Sequence, residues 1–466
     1  MLQEVVAPDE VKRYVHAVRE QLADGRLDAP AADAARAIAA PPTAAPADAM
    51  LAALPRPEQL EPSSGGGGAD VPFLARDPAT SLLQSALAEH YGAAGAITER
   101  PAEGPLEHLL HVVERIARDI FHDERMGPLD PEWVTQIAAS MLTRLAKGNH
   151  PFNHAPAEYE TTAPDPRIVV VGDWGSGLPR ARAVAALMAA RVEEALAAGR
   201  TVSVIHLGDV YYSGTRAEYD ANVLAPGLWP VTTEQAAGGV TSWALNGNHD
   251  MYSGGWSYFD HQLADRRFAA QRSPDGKPTS FFRLRTPRWD LVGLDTSWDR
   301  DVLSSGEVGV LEDPQATWVA RWAADARASG RALMLLSHHQ FLSVLDPGDL
   351  GPTLEAKLGP VLAAGAVRAW LWGHEHRCLG YSEQGGIAYA RCIGHGGVPV
   401  RPYPSGKPLP EGVTFMERGV DHDDDGDWAR FGFAVLDFAA DGAIAVSYFD
   451  DHGEASPPPE TFTTAR

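Results

Sequence analysis

From residue 167 onward the sequence repeats one pattern: a short, wholly or almost wholly apolar run ends and gives way to residues that can bind a cation. Ile168–Val171 leads into Gly172-Asp173-Trp174-Gly175, and Thr201–Leu207 leads into Gly208-Asp209-Val210-Tyr211-Tyr212. Trp243–Leu245 precedes Gly247-Asn248-His249-Asp250, Leu333–Leu336 precedes Ser337-His338-His339, and Ala369–Trp372 precedes Gly373-His374-Glu375-His376. Further runs of the same kind are Phe281–Leu284 and Leu291–Leu294, and a helical segment spans Arg180–Ala198. Short apolar runs without polar alternation are strands buried on both faces. Strands alternating with helices make an α/β domain, whose ligands gather where strands give way to loops. Each cluster alone has an ordinary explanation as a cap or a turn. Their joint occurrence places chemistry along one edge of a sheet.

Carboxylate, imidazole, amide oxygen and phenol together suit zinc, manganese or iron, whereas magnesium and calcium sites are nearly all oxygen. Two such ions about 3.5–4 Å apart can hold an in-line displacement at phosphorus, with one carboxylate bridging them. Asp209, at the end of an apolar strand, is the natural bridge.

In this order the clusters resemble the calcineurin-like metallophosphoesterase superfamily, over about residue 167 to about residue 440. The generic family has Asp-x-His in its first cluster, and here Gly175 stands at the histidine position. Tyr212, three residues after Asp209, fits the GD-x-x-Y pattern of the purple acid phosphatase branch, in which the tyrosine ligates ferric iron; Tyr211 competes for that role. The resemblance implies a four-layer α/β/β/α sandwich. It implies one metal held by Asp173, Asp209, Tyr212 and His376, and a second held by Asp209, Asn248, His374 and a strand-end histidine, His338 in preference to His339. Fe(III) belongs at the Tyr212 site and Zn(II), Mn(II) or Fe(II) at the other. His249 matches the histidine that bonds the phosphoryl group and assists the leaving oxygen, with Asp250 orienting its ring. The implied activity is that of a hydrolase acting on phosphomonoesters by attack of metal-bound hydroxide. Hydrolysis of phosphodiesters, nucleotides among them, is the alternative, and a non-catalytic docking protein on the same fold is the rival of another class.

Composition narrows the partners. With 62 acidic against 39 basic residues the formal charge is −23, which speaks against general nucleic-acid binding and against docking on anionic membranes. Small phosphate esters stay open as substrates, because two metal ions would reverse the local sign. The two cysteines, Cys378 and Cys392, are too few for a disulfide framework, and the chain opens with neither a signal peptide nor a membrane span, so a cytoplasmic protein is expected. Before the phosphoesterase domain (161–466) the sequence predicts an N-terminal helix (1–27), an Ala/Pro/Gly-rich flexible linker (28–75) and a helical region (76–160). His108 and His111, one turn apart in that region, read as surface or packing residues. Tyr252, Trp256, Tyr258 and Phe259, in an insertion after the third cluster, either stack on a substrate or fill a core. His395, in Gly394-His395-Gly396-Gly397, lies at the pocket rim or is incidental. The stretch Asp421–Asp427 starts like a calcium loop, but Gly432 replaces the closing Glu, so it reads as a solvated acidic loop.

Overall fold

Strands that are apolar on both faces need a layer on each side, and the fold supplies them. The computed structural model describes residues 149–466 apart from 162, 212–213, 299–308, 345–351, 401, 424–425 and 465–466. The readings made for residues 1–148 lie outside the described residues. From His150 on, apart from Tyr252–Gly254, the described residues form one compact unit.

The strands are β1 (Ala157–Glu160), β2 (Arg167–Val171), β3 (Val202–His206), β4 (Thr241–Ala244), β5 (Phe282–Arg285), β6 (Trp289–Gly293), β7 (Ala332–Ser337), β8 (Val367–Trp372), β9 (Cys378–Tyr381), β10 (Tyr389–Ile393), β11 (Val413–Met416), β12 (Val420–Asp423), β13 (Gly426–Ala429), β14 (Gly432–Phe438), β15 (Ile444–Asp450) and β16 (Glu460–Phe462). Eight of them form a sheet in the order β1-β5-β6-β7-β8-β10-β9-β11, six form a second sheet in the order β16-β15-β14-β2-β3-β4, and β12-β13 is a separate hairpin. Helix α1 (Pro179–Ala197) opens with Pro179 in its first turn and is followed by Gly199 in the left-handed region, φ 74°. It covers the outer face of the smaller sheet, packing on β2, β3 and β14. A short helix, α2 (Asn248–Tyr252), follows β4. Helix α3 (Asp313–Ala328) packs on β6, β7 and α4 (Pro352–Ala363) on the outer face of the larger sheet.

Alternate residues of one strand feed different layers. Val170, Ile205 and Trp243 meet Leu291, Met334, Leu336 and Leu371 between the sheets. Val169, Val171 and Val204 lie on the α1 side of the smaller sheet, whereas Leu333, Leu335 and Trp370 belong to the core on the outer side of the larger one. This is the four-layer α/β/β/α sandwich, and it explains the lack of polar alternation. Cys378 belongs to the inter-sheet core and Cys392 to the outer one, so the two buried thiols point to opposite faces and stay free.

Several expectations change. Strand β1 pairs in parallel with β5, and Phe152 stacks on Phe281 at 5.6 Å, so residues 150–160 belong to the sandwich rather than to the helical region expected before it. Tyr258 and Phe259 are fully buried in the core beside α1, and the Tyr258 hydroxyl donates to the Ala244 carbonyl at 2.7 Å; both are core residues. The acidic stretch is an antiparallel hairpin, with Asp421 paired to Arg180 at 2.6 Å and to His452 at 2.9 Å. His395 is only 2% exposed, packed against Gly432 and away from any rim. Among the described residues no helix is long and apolar enough to cross a membrane.

Leu336 is fully buried between the sheets. Leu336→Ala is expected to destabilise the unit by about 2–5 kcal/mol, read as a lower urea midpoint with unchanged slope.

Candidate metal centre

β2, β3 and β4 run parallel in one sheet, and β6, β7 and β8 run parallel in the other. The polar clusters follow the carboxyl ends of β2, β3, β4, β7 and β8. Four of their residues hold the left-handed conformation: Asp173 (φ 55°), Asp209 (72°), His374 (69°) and His376 (49°). Such residues cost on the order of 1–3 kcal/mol each and persist only where the surroundings hold them, as functional sites do. The glycines beside them leave the room required. A Cβ on Gly373 would stand 2.6 Å from Asp173 Oδ2, and one on Gly394 would stand 2.8 Å from the same atom.

Two sets of donor atoms converge, and they share one oxygen. In the first, Tyr211 Oη lies 3.0 Å from Asp173 Oδ1, 3.1 Å from Asp209 Oδ2 and 3.0 Å from His376 Nε2. In the second, His338 Nε2 lies 3.3 Å from Asp209 Oδ2, 3.0 Å from Asn248 Oδ1 and 3.2 Å from His374 Nδ1. Asp209 Oδ2 belongs to both. The other ring nitrogen of His338 donates to the Leu207 carbonyl at 3.1 Å, which turns Nε2 toward the cluster. The loops also brace each other, since the His374 amide donates to Asp173 Oδ2 at 2.7 Å.

Among the described residues, the phenol at this centre is that of Tyr211. Tyr212, expected there from its spacing, lies outside the described residues. His339 Nδ1 lies 3.0 Å from Thr296 Oγ1 and its ring centroid 4.7 Å from that of His374, and donor atoms of His338, His339 and His374 lie within 4.8 Å of one another. His249 Nε2 lies 4.0 Å from Asp209 Oδ2, with the ring against Tyr211. Asp250 has a task that the sequence reading did not give it. Its carboxylate accepts the amides of Gly247 at 2.7 Å, Asp209 at 2.9 Å and Val210 at 3.2 Å, together with the Tyr219 hydroxyl. It clips the loops after β3 and β4 together.

The electrostatics of the cluster fit a cation. Burial pushes the Asp173 carboxyl up to about 8, and the Asp209 charge adds to this against the pull of His338. Burial and the same two carboxylates push the Tyr211 phenol well above its ordinary range. Burial works against a charged His338, but Asp209 overcomes it and raises the imidazole to about 9. In return His338 and His249 hold Asp209 well below the usual carboxylate range despite its burial. Burial lowers His376 to about 3 and His374 well below its ordinary value, leaving both neutral with lone pairs to give. Buried acceptors crowded in this way, of mixed oxygen and nitrogen type, fit two borderline-hard metal ions.

Loading must displace protons. Below their raised pKa values Asp173, His338 and Tyr211 hold them, so metal affinity is expected to rise with pH, and loading at pH 7 with all three as ligands is expected to release about three protons per chain. Calorimetric titration in buffers of different ionisation enthalpy measures this, and release near zero would contradict the arrangement.

Residues 166–378 match the family model described as calcineurin-like phosphoesterase. The chain is 27% identical over 253 residues to tartrate-resistant acid phosphatase type 5 of Oryctolagus cuniculus, which spans 49% of this chain and 73% of that protein. The Homo sapiens counterpart is 25% identical over 254 residues, 50% of this chain and 74% of that one. Among solved structures, a dimetal phosphatase from Danio rerio covers 64% of this chain and 99% of its own, at 16% identity and a TM-score of 0.42. A purple acid phosphatase from yellow lupin seeds covers 65% of this chain and 54% of its own, at 14% identity and a TM-score of 0.38. Residues 166–378 thus form a calcineurin-like phosphoesterase domain, with weak homology to the purple acid phosphatases.

Proposed function

We propose that the domain is a binuclear metal-dependent phosphatase acting on small phosphomonoesters. The observation that carries this reading is the position of Asp209 Oδ2 in two separate sets of converging donor atoms. Asp173, Asp209, Tyr211 and His376 would hold one ion, and Asp209, Asn248, His338 and His374 the other. A phenolate in the first set favours Fe(III), and the imidazole-rich second set suits Zn(II), Mn(II) or Fe(II). Such ions supply Lewis acidity toward phosphoryl oxygens and lower the pKa of water.

The remaining work falls to the protein's own groups. His249, 4% exposed and held beside Asp209, is placed to give a proton to the leaving oxygen. Its backbone amide donates to Asp209 Oδ1 at 2.9 Å, which ties the proton donor to the bridging carboxylate. Asp250 would brace the loops, since its oxygens take backbone amides from both sides. The preference for monoesters rests on the phenol-containing ligand set and on relatives that are acid phosphatases.

Three outcomes are expected. Iron-loaded protein should show a visible phenolate-to-iron charge-transfer band that Tyr211→Phe removes and Tyr212→Phe leaves; the reverse would restore the Asp-x-x-Tyr assignment. His249→Asn should lower kcat by about 10²–10⁴ while both metals stay bound. In a panel of monoesters and diesters with defined metals, a large preference for any diester would overturn the monoester reading.

A further inference from the structure

His339 is fully buried beside the donor sets and has no task in the scheme above. Its ring centroid lies 4.7 Å from that of His374 and 5.0 Å from that of His338, both donors of the second set. The His374 ring thus packs against two imidazoles: His338, a fellow donor at 5.1 Å, and His339. His374 is only partly buried and stands on a left-handed backbone, φ 69°. A ligand ring in such a place keeps one orientation only where its neighbours are themselves held.

His339 is held from several directions. The Thr296 hydroxyl accepts its backbone amide at 3.3 Å and lies 3.0 Å from its Nδ1, so one side chain of the loop after β6 ties down both backbone and ring. The His339 carbonyl accepts the Ser337 hydroxyl at 2.8 Å, and that hydroxyl accepts Trp370 Nε1 at 2.8 Å. The loop carrying Thr296 is braced in turn. Asp295 Oδ1 accepts the amides of Ser297 at 3.0 Å and Trp298 at 2.9 Å, and Gln315 of α3 brackets the Asp295 backbone with bonds of 2.8 and 2.9 Å. Gly309 leaves room for the ring, since a Cβ there would stand 2.9 Å from His339 Cβ. The chain of contacts therefore runs from α3 through the loop after β6 to His339, and ends on the His374 ring. His338 has a separate anchor in the Leu207 carbonyl. Packing alone would be served by an apolar side chain, without the cost of burying a polar ring and a hydroxyl; the bonded pair gains a fixed direction.

We propose that His339 is a positioning residue, held by Thr296, that fixes the orientation of the His374 imidazole and so sets the affinity of the centre for its second ion. The proposal rests on the two-ion reading above. It gives the loop after β6, which supplies no donor to either set, a role toward the second ion alone.

The test is zinc titration of the iron-loaded full chain, with the phenolate-to-iron band reporting on the first ion. Wild type should take up one zinc per chain, carrying two imidazoles by X-ray absorption. His339→Ala should weaken zinc binding about 10–100-fold, the range for partners that orient a metal-ligating histidine, and leave the iron band in place. Thr296→Val, which nearly keeps the shape of the side chain and removes the hydroxyl, should weaken zinc in the same sense by a smaller factor; it also serves where His339→Ala does not fold. The proposal is overturned if zinc affinity is unchanged in either folded variant, if iron weakens by the same factor, or if wild-type zinc carries three imidazoles, which would make His339 a ligand. Wild type that holds iron or zinc but never both would overturn the two-ion reading itself, and this proposal with it.

Discussion

The site depends on one carboxylate whose two oxygens do different work. Asp209 Oδ1 accepts the His249 amide, and Oδ2 faces both donor sets. Holding Asp209 in place takes a backbone in the left-handed region and a second carboxylate, Asp250, that receives its amide. Asp250 in turn joins Gly247 and Tyr219, so the loops after β3 and β4 and the segment carrying Tyr219 between these strands fix one another. Gly247 is confined by the same arrangement, since any side chain there would run into Asp209 Oδ1.

Such a centre is expensive in isolation. Two fully buried carboxylates, a phenol and a row of imidazoles at a few ångströms would repel or shed charge, and four strained residues add about 1–3 kcal/mol each. The sandwich tolerates this because the strands leading into the loops are buried on both faces and cannot shift register without moving apolar side chains into the wrong layer. The core supplies the rigidity and the strand ends carry the chemistry.

Much of this was legible in the sequence, for a physical reason. A strand covered on both faces is an uninterrupted apolar run, and a glycine next to Asp, Asn or His marks a close backbone approach, so the strands and their ligating clusters stood out together. What stayed hidden depends on dihedral angles and distant partners. Whether Tyr211 or Tyr212 reaches the centre is decided by how the backbone turns after Asp209, which spacing alone does not report. Strand β1, Ala-Glu-Tyr-Glu, looks polar because it is an edge strand, so the pattern of buried apolar runs does not reveal it. The clip made by Asp250 joins amides 40 and 41 residues away. His395 sat in a glycine-rich loop that suggested exposure, but Gly432 lets the ring pack inside.

The net charge of −23 is a sum over the whole chain and says little about a cleft in which two cations would dominate. The central claim is that this chain binds two ions through a shared Asp209. Anomalous diffraction from crystals of the protein grown with manganese and phosphate tests it directly. The expected result is two anomalous peaks about 3.5–4 Å apart, both within bonding distance of Asp209 Oδ2. A single peak, or two peaks that do not share Asp209, would contradict it.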